Sequence, residues 1–348
     1  MSNRRIAAGG IACLLAFTAL AVVLAGSGSA RPTATYKAAL VSDVGRFNDK
    51  GFNQSQLAGL HRAQRVLKIQ VVPIQSNATG DYIPNLTSAI RQGSHLVIAA
   101  GFLMATDLAT VAKQFPSTHF AITDDTVSSA AGDFQGKDVH NIEGLTYATN
   151  ENSYLIGCMA AMVTKAEKKP HVLGAVMGIK IPPVNIFFAG YQAGAKKCVP
   201  GTKVLFGYSN SFTAQDQCKT IAENQIQQKA NVVFAIAGAC GLGALDAAKG
   251  HGIWGVGVDR DQSFLGSYIL TSAVKRVDNG VFLAIKNDKA GKFKGGSNAV
   301  YNLKNNGVAL GKISPRLKGA LKKRVMAKVA VLKKGIISGK IKVPTKIG

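Results

Sequence analysis

The sequence predicts an α/β protein built from two doubly wound parallel-sheet domains. Its 348 residues are too many for one ordinary core and fit two domains of about 100–200 residues each. Short apolar, β-branched runs alternate with longer stretches of helical periodicity, which is typical of βα units on a mostly parallel sheet. The pattern occurs twice, with five strand candidates in each half, so we expect two similar sheets.

Ten apolar runs are the strand candidates, and they fall into two sets along the chain. The first set is Lys37–Ser42, Gln70–Ile74, His95–Ala100, His119–Thr123 and Asn141–Thr146. The second set is Val172–Met177, Lys203–Tyr208, Asn231–Ala237, Ile253–Val258 and Tyr268–Ala273. Because the two sets are separated by a helical stretch, we expect one sheet from each set.

Helices are predicted between these strands from the spacing of apolar residues. Leu57, Leu60, Ala63 and Leu67 recur every three or four positions, which predicts an amphipathic helix over Asn53–Leu67. The remaining helix candidates are Pro84–Gln92, Ala105–Gln114, Asn152–Thr164, Asn185–Lys197, Ala214–Lys229 and Gly243–Gly250.

Charge is concentrated at the C-terminus. The chain carries a formal net charge of +24, and Lys312–Gly348 holds 12 Lys or Arg and no Asp or Glu. From Pro315 onward, Leu317, Ala320, Leu321, Val325, Val329 and Leu332 share one side of a helix. We interpret this segment as a solvated terminal helix packed on a domain, with a membrane-surface or nucleic-acid arm as the alternative.

The first thirty residues have the pattern of an export signal. Arg4-Arg5 precedes an apolar run from Ile6 to Leu24, and small residues at Gly28 and Ala30 suit cleavage after Ala30. The alternative is an uncleaved anchor, since about 20 apolar residues can span a bilayer. Cys13 lacks a proper lipobox, so lipidation there is the weaker option. Either way the protein is expected to work outside the cytoplasm.

Four further cysteines remain, at positions Cys158, Cys198, Cys218 and Cys240. Their even number and the export signal permit disulfides, and their wide spacing argues against zinc. Cys198 and Cys218 flank one predicted strand and its following loop. We therefore expect them to close a clip of about 20 residues.

Polar and aromatic residues cluster just after the predicted strands, where open parallel sheets bind ligands. The segments of the first half are Asp43–Gly45, Asn48–Gln54, Gly101-Phe102 and Asp124-Asp125, and those of the second half are Ser211-Phe212, Gly238–Gly243, Asp259–Gln262 and Ser272–Arg276. Carboxylates, an amide, one lysine and aromatic faces would then meet in a cleft between the halves. This combination suits a small ligand that has hydroxyl groups and a flat ring.

Several long motifs, in order along the chain, resemble one known family. They are Val41-Ser-Asp-Val-Gly45, Asp49-Lys-Gly-Phe-Asn-Gln54, Asn141-Ile-Glu-Gly-Leu-Thr-Tyr147, Ser153-Tyr-Leu155, Gly190-Tyr-Gln-Ala-Gly-Ala-Lys196, Ala237-Gly-Ala-Cys-Gly-Leu-Gly243, Gly257-Val-Asp-Arg-Asp-Gln262 and Thr271-Ser-Ala-Val-Lys-Arg-Val277. The family is that of the basic membrane proteins, the substrate-binding proteins of nucleoside ABC transporters. The resemblance covers nearly everything from Tyr36 to Gly348.

The resemblance implies a type I periplasmic binding protein fold, with two lobes joined by a three-segment hinge. It places the crossings near Leu145, Ala273 and Tyr301. The N-terminal lobe is then 36–145 plus about 274–300, and the C-terminal lobe is 146–273 plus about 301–348, which includes the basic helix. Two features depart from the family: the poor lipobox, and Arg260 where relatives usually have serine. The second departure is expected to alter the rim of the cleft.

The resemblance places the pocket on eight residues of these strand-end segments, whose chemistry suggests separate roles: Asp43, Phe52, Asn53, Asp124, Phe212, Gly238, Asp259 and Lys275. Phe52 and Phe212, from opposite lobes, would sandwich a purine, unless both are core aromatics. Asp259, with Lys275 beside it, would accept the ribose hydroxyls, unless the two form only a structural ion pair. Asp43, Asn53 and Asp124 would contact the edge of the base, unless they only form Asx-turns. Gly238 would let the backbone approach the sugar closely, unless it is simply a turn glycine.

Three rival signals are weak. Ser272-Ala-Val-Lys275 matches an S-x-x-K motif without its partner motifs, and Gly238–Gly243 is not a complete dinucleotide-binding fingerprint. The histidines show no metal-ligand spacing, and a divalent cation at Asp124-Asp125 or at Asp259 and Asp261 is a minor alternative. We therefore expect no catalytic residue, no metal and no cofactor.

The function expected from the sequence is capture of a nucleoside, with a purine favoured, and its delivery to the permease of an ABC transporter. The alternatives are a binding protein for another small solute, a ligand-binding protein that signals through a sensor, and, less favoured, a nucleoside hydrolase. The expected partners are the nucleoside and the permease, with membrane association through the N-terminal segment. We expect a monomer that does not bind nucleic acid.

Overall fold

Two six-stranded sheets with helices on their faces make up the part of the chain that the structure describes, which confirms the predicted α/β class. The structure is a computed structural model, and it describes residues 35–127, 134 and 140–348. The predicted export signal and Cys13 therefore lie outside the described residues.

All ten predicted strands are present, each within two residues of its predicted ends. The strands of the first sheet are β1 Lys37–Ser42, β2 Gln70–Ile74, β3 Leu96–Ala100, β4 His119–Thr123, β5 Ile142–Tyr147 and β11 Asn298–Tyr301. The strands of the second sheet are β6 Val172–Met177, β7 Lys203–Tyr208, β8 Val232–Ile236, β9 Trp254–Asp259, β10 Ile269–Lys275 and β12 Val308–Leu310.

The helices among the described residues include every predicted one. They are α1 Phe52–Leu67, α2 Tyr82–Arg91, α3 Ala105–Gln114, α4 Thr149–Ala166, α5 Pro182–Cys198, α6 Gln215–Gln227, α7 Gly241–Gly250, α8 Val277–Lys289 and α9 Gly319–Ile337. Within the described ranges, no helix is both long and apolar enough to pass through a bilayer.

The two sheets have the same winding. Their strand orders are β11-β5-β4-β3-β1-β2 and β12-β10-β9-β8-β6-β7, and every neighbouring pair is parallel except β10 with β12. Strands β1 and β3 lie inside the first sheet and are almost wholly buried, whereas the edge strands β2 and β7 are partly exposed. In each sheet the order reverses beside the first strand, so both sheets have a ligand-binding edge at their carboxyl ends.

The chain passes between the sheets at three places. It leaves the first sheet after β5, returns after β10, and leaves again between β11 and β12. The residues expected at the crossings, Leu145, Ala273 and Tyr301, lie near the carboxyl ends of β5, β10 and β11, the strands that precede the three crossings. The exact division into lobes stays a prediction.

One helix and two short strands escaped the sequence analysis. Helix α8 was missed because Asn279-Gly280 in its first turn has the pattern of a turn. The glycine serves packing instead: a Cβ at Gly280 would lie 2.0 Å from the hydroxyl of Tyr147. Strands β11 and β12 have only four and three residues, and such short runs give no periodicity.

Helices α4 and α5 pack unusually closely because glycines line their interface. A Cβ at Gly157 would lie 2.0 Å from the carbonyl oxygen of Tyr191, and one at Gly194 would lie 1.9 Å from that of Tyr154. Real Cβ atoms do not approach backbone so closely, so alanine at either position would push the helices apart. The pair therefore forms a rigid unit of the structure.

The predicted Cys198–Cys218 clip is wrong. The structure pairs Cys158 with Cys198, across α4 and α5, and Cys218 with Cys240, between α6 and the start of α7. Strand β7 lies between Cys198 and Cys218 and is about 20 Å long. Cys198 comes before the amino end of this strand and Cys218 after its carboxyl end, so their sulfurs are too far apart to bond.

The disulfide pattern yields a first prediction. Peptide mapping of the exported, unreduced protein should recover the 158–198 and 218–240 linkages. Loops of 40 and 22 residues imply that each bond stabilises the fold by about 3–4 kcal/mol. Removing either pair as a double Cys→Ser variant should therefore lower the denaturation midpoint. A recovered 198–218 peptide would contradict the structure.

Candidate ligand-binding site

A cavity lies where the carboxyl ends of the two sheets face each other, and it encloses about 600 Å³, part of it open to solvent. All eight residues predicted from the sequence line it: Asp43, Phe52, Asn53, Asp124, Phe212, Gly238, Asp259 and Lys275. Four belong to segments that follow strands of the first sheet and four to the second, so the cavity is shared.

Lys275 lies at the centre of the charges in this cavity. It ends β10 of the second sheet, and its Nζ is 2.5 Å from Oδ2 of Asp124, which follows β4 of the first sheet. The same Nζ is 3.6 Å from Oδ1 of Asp259, which ends β9. The ammonium group also lies 4.6 Å from the ring centroid of Phe52 and 5.3 Å from that of Phe187. Lys275 is thus held by one carboxylate and one ring from each side.

Both of these carboxylates stand on an unusual backbone. Asp124 has φ 68° and Asp259 has φ 64°, a left-handed conformation that few residues other than glycine adopt, although aspartate tolerates it better than most. Such strain tends to persist where the surrounding structure uses it. Here it turns the two side chains out of their strands and toward the cavity that both residues line.

The loop before α1 is held by its own polar side chains. Asp49 accepts hydrogen bonds from the backbone N–H groups of Asn53 and Gln54, at 2.8 and 3.1 Å, and so caps the helix. Asp43 accepts from Gly45 N–H at 2.8 Å, which makes the Asx-turn considered above, and also from the Asn53 side-chain amide at 2.7 Å. These bonds fix Asn53 with its Nδ2 inward on carboxylates.

Asn53 is left with an unused acceptor. Its side chain is buried, and its Oδ1 has no hydrogen-bond partner in the structure. A buried acceptor without a partner is destabilising. A ligand that donates a hydrogen bond to this oxygen would remove that penalty.

Each of the two aromatic rings predicted to contact the base packs against a glycine. A Cβ at Gly101, where φ is 132°, would lie 3.2 Å from the ring of Phe52. A Cβ at Gly178 would lie 2.5 Å from the ring of Phe212, so any side chain there would displace that ring. Gly238, with φ 54°, lies in a turn whose Gly241 N–H donates to its carbonyl oxygen at 3.1 Å, and a Cβ at Gly238 would lie 3.5 Å from the carbonyl oxygen of Phe212.

Burial dominates the electrostatics of the cavity. It raises the pKa of Asp43 to about 6 and that of Asp259 to about 6, against the lowering effect of their hydrogen bonds and of Lys275 respectively. It also raises the pKa of Asp124. Burial opposes the charged form of Lys275, but the attraction of Asp124 and Asp259 outweighs it and raises the pKa of the ammonium group. The lysine is therefore a cation surrounded by more carboxylates than it can neutralise.

Two hydrogen bonds join the sheets at the rim of the cavity. The Arg260 guanidinium donates to Oε1 of Gln54 in α1 at 3.0 Å, and the Gln262 side-chain amide donates to the carbonyl oxygen of Lys50 at 3.3 Å. Arg260 is the residue that departs from the family pattern, and the structure places it next to Asp259 with its side chain bonded to the opposite sheet. A serine at this position is too short to make that bond.

The sequence analysis missed one wall of the cavity. Ile181, Pro183, Val184 and Phe187, at the start of α5, line it, as does Asp49. The α5 residues follow β6, so the same strand-end rule that found the other residues also applies to them. Their apolar composition gave no chemical signal, and they were passed over.

Solved structures show which class of protein this fold defines. An ABC transporter solute-binding protein from Aeropyrum pernix matches with a TM-score of 0.76 and 26% sequence identity, covering 89% of this chain and 94% of that one. One from Conexibacter woesei matches with a TM-score of 0.69 over 90% and 100% of the two chains, at 22% identity. The two sheets and the cavity between them are those of a type I periplasmic solute-binding protein.

Sequence comparison then gives the family. The model of the Bmp family, described as ABC transporter substrate-binding protein PnrA-like, matches residues 36–346. The ABC transporter nucleoside-binding protein BmpA of Lactococcus lactis is 35% identical over 334 residues, 89% of each chain. Basic membrane protein A1 of Borrelia garinii is 32% identical over 272 residues, 77% of each chain. This chain belongs to the Bmp family and is an ABC transporter substrate-binding protein, a class that works outside the cytoplasm.

The rim geometry yields a second prediction. Arg260→Ser should speed the release of a nucleoside, the ligand expected from the sequence, by about fivefold, because one half-exposed, charge-assisted bond between the sheets is lost. Stopped-flow dissociation of a fluorescent purine nucleoside measures this rate. Gln54→Ala should have the same effect, and the double variant should add little. Additive effects of the two substitutions would show that the bond does not hold the cleft closed.

Proposed function

We propose that this substrate-binding protein captures a nucleoside, with a purine base favoured, and presents it to the membrane permease of an ABC transporter. The observation that carries the proposal is the cavity, which brings aromatic rings and carboxylates from both sheets together. A nucleoside offers the matching groups: a flat ring with two π-faces and a sugar with adjacent hydroxyls. The Lactococcus relative described as nucleoside-binding supports the same ligand class.

The sugar is assigned to Asp259. Lys275 makes its short contact with Asp124, at 2.5 Å, and stands 3.6 Å from Asp259. Asp259 therefore keeps acceptor capacity, and an ionised carboxylate can accept two neighbouring hydroxyls at once. Phosphate groups are disfavoured, because a cavity rich in carboxylates would repel them.

The base is assigned to the two aromatic rings of the cavity and to the polar groups of the loop before α1. Phe212 offers a ring face held in place by Gly178, and Phe52 offers a second face that it shares with Lys275. Asn53 Oδ1 is a free acceptor, and the Asp43 carboxyl, with a pKa of about 6, is ionised at pH 7 and accepts hydrogen bonds. Both therefore suit N–H groups on the edge of a purine. Asp259 on one hand and the rings with Asn53 and Asp43 on the other would then recognise the sugar and the base separately.

A third prediction separates these two roles. Asp259→Ala should nearly erase the difference in affinity between a purine nucleoside and its 2′,3′-dideoxy analogue, because the hydroxyl acceptor is gone. Phe212→Ala should weaken both ligands by about 1–3 kcal/mol through lost stacking and keep that difference. Calorimetric titration of each variant with each ligand measures the loss of affinity and the remaining difference between the two ligands. Lys275 keeps Asp124 as a partner in the first variant, so its fold is expected to survive.

Matched controls exist near both residues. Asp261 lies two positions from Asp259 and does not line the main cavity, and Phe206, on β7, is 49% exposed outside it. Asp261→Ala and Phe206→Ala should leave affinity and discrimination unchanged. Full discrimination by Asp259→Ala would show that this carboxylate does not hold the sugar. Appearance of free base during the titration would instead favour the hydrolase alternative.

A fourth prediction concerns pH. Since burial raises the pKa of Asp259 to about 6, this carboxyl group is ionised above pH 6 and protonated below it. Nucleoside affinity should therefore decline as pH falls from 7 to 5. Asp259→Asn should make the decline shallower without removing it, because the pKa of Asp43 at the base is also about 6. The stability of the ligand-free protein has the opposite trend: protonation favours the folded state, and this contribution is lost as pH rises through 6. Ligand titrations over this pH range measure the affinity, and thermal melts measure the stability. An affinity that rises toward pH 5 would exclude an ionised acceptor.

A further inference from the structure

The C-terminal segment from Lys312 to Gly348 presents all of its positive charge to solvent. Every basic side chain in it is exposed, and no acidic residue interrupts it. These residues are Lys312, Arg316, Lys318, Lys322, Lys323, Arg324, Lys328, Lys333, Lys334, Lys340, Lys342 and Lys346. We call this set the basic surface.

The basic surface has no counter-charge within the described residues. None of its members takes part in the ion pairs found there, whereas Lys219 pairs with Asp246 at 2.8 Å and Lys169 pairs with Glu167 at 3.4 Å elsewhere on the protein. Arg316 stacks on Trp254 instead, 4.3 Å from the ring. Twelve unpaired like charges on one segment repel each other, and a surface of opposite charge would relieve that repulsion.

Helix α9 holds the basic surface in a fixed place. Val325, Val329, Leu332 and Ile336 are buried and recur at the spacing of a single helix face, and α9 packs on α4. The C-terminal tail is fastened as well, since the Asn150 side-chain amide donates to the carbonyl oxygen of Val343 at 3.0 Å. The charges are therefore presented by a rigid element and not by a loose arm.

The outward side of α9 also carries apolar side chains among the lysines. Val331 is 67% exposed and Ile337 is 39% exposed. At about 100° per residue, both point away from the buried face, into the arc that also holds Lys323 and Lys334. Exposed apolar groups between basic ones suit the headgroup region of a membrane, where apolar side chains are buried and basic ones meet anionic lipids. A nucleic-acid backbone offers nothing to these two residues.

We propose that the basic surface docks on an anionic lipid bilayer and holds the protein at the membrane beside its permease. The helix is 19 residues, about 28 Å, long, so it can lie along a bilayer and engage several lipids. Each basic residue near an anionic surface contributes about fivefold in affinity. None of the twelve lines the ligand cavity, so membrane docking and solute binding use separate sites. This proposal does not depend on which solute is bound.

Vesicle co-sedimentation tests whether the basic surface docks on anionic lipid. The exported chain, with its N-terminus read by mass spectrometry, is mixed with vesicles of about 30% phosphatidylglycerol in phosphatidylcholine, and with pure phosphatidylcholine vesicles. Whatever N-terminal segment remains is the same in all variants, so the affinity difference between the two vesicle types isolates the electrostatic part. We expect binding to anionic vesicles that weakens steeply between about 0.05 and 0.5 M salt.

Two variants of equal net charge make the test specific. The surface variant carries Gln in place of Lys323, Arg324, Lys328 and Lys334; the control variant carries Gln in place of Lys113, Lys286, Lys289 and Lys292, which are exposed on helices and loops of the first sheet. The surface variant should bind anionic vesicles at least about 20-fold more weakly, and the control should bind like the wild type. Val331→Ser, a single exposed substitution, should also weaken vesicle binding.

The remaining outcomes overturn the proposal. Equal losses in the surface and control variants would show a response to overall charge and not to this surface. Equal binding to neutral and anionic vesicles would assign attachment to the N-terminal segment alone. Tighter binding to a random DNA duplex than to anionic vesicles at the same salt would favour the nucleic-acid alternative. A thermal unfolding midpoint equal to that of the wild type in all variants is the check that each has folded.

Discussion

The ion pair between Lys275 and Asp124 is the interaction on which the rest of the site depends, because it is a buried charge contact between the two sheets. Burying a lysine is unfavourable unless it is paired, and Lys275 is paired from both sides, with Asp259 as its second carboxylate. The carboxylates still outnumber the ammonium group, since Asp43 and Asp49 also line the cavity. A closed cavity without ligand therefore holds excess negative charge, and a ligand rich in hydrogen-bond donors would relieve it.

The helices on the second-sheet side of this contact are joined closely, and within the described residues the chain passes between the sheets at three places. Glycine-lined packing and the Cys158–Cys198 disulfide join α4 to α5, and the Cys218–Cys240 disulfide joins α6 to the start of α7. Rigid units linked by a few chain segments favour hinge closure over local rearrangement. In this account Arg260 and Gln262 form their bonds to the opposite side only when the cleft is closed.

Much of this was predictable from the sequence, and the failures have physical causes. Strands and most helices follow from local periodicity. The rule that ligands bind beyond strand ends marks the segments of the site, and the family resemblance selects the eight residues within them. Helix α8 was missed because Gly280, which packing on Tyr147 requires, has the local pattern of a turn. The disulfide prediction failed because sequence spacing alone does not show where a strand places the two cysteines that it separates. The apolar wall at Phe187 was overlooked since it carries no distinctive chemistry.

The central claim is that the two sheets close around a nucleoside. Small-angle X-ray scattering of the protein, with and without a saturating purine nucleoside, tests it most directly. Excess buried carboxylate favours an open, hydrated cleft in the free protein, and ligand binding should close it, so the account predicts a smaller radius of gyration in the bound state. Identical scattering profiles at saturating ligand, verified as bound by calorimetry in the same buffer, would contradict it.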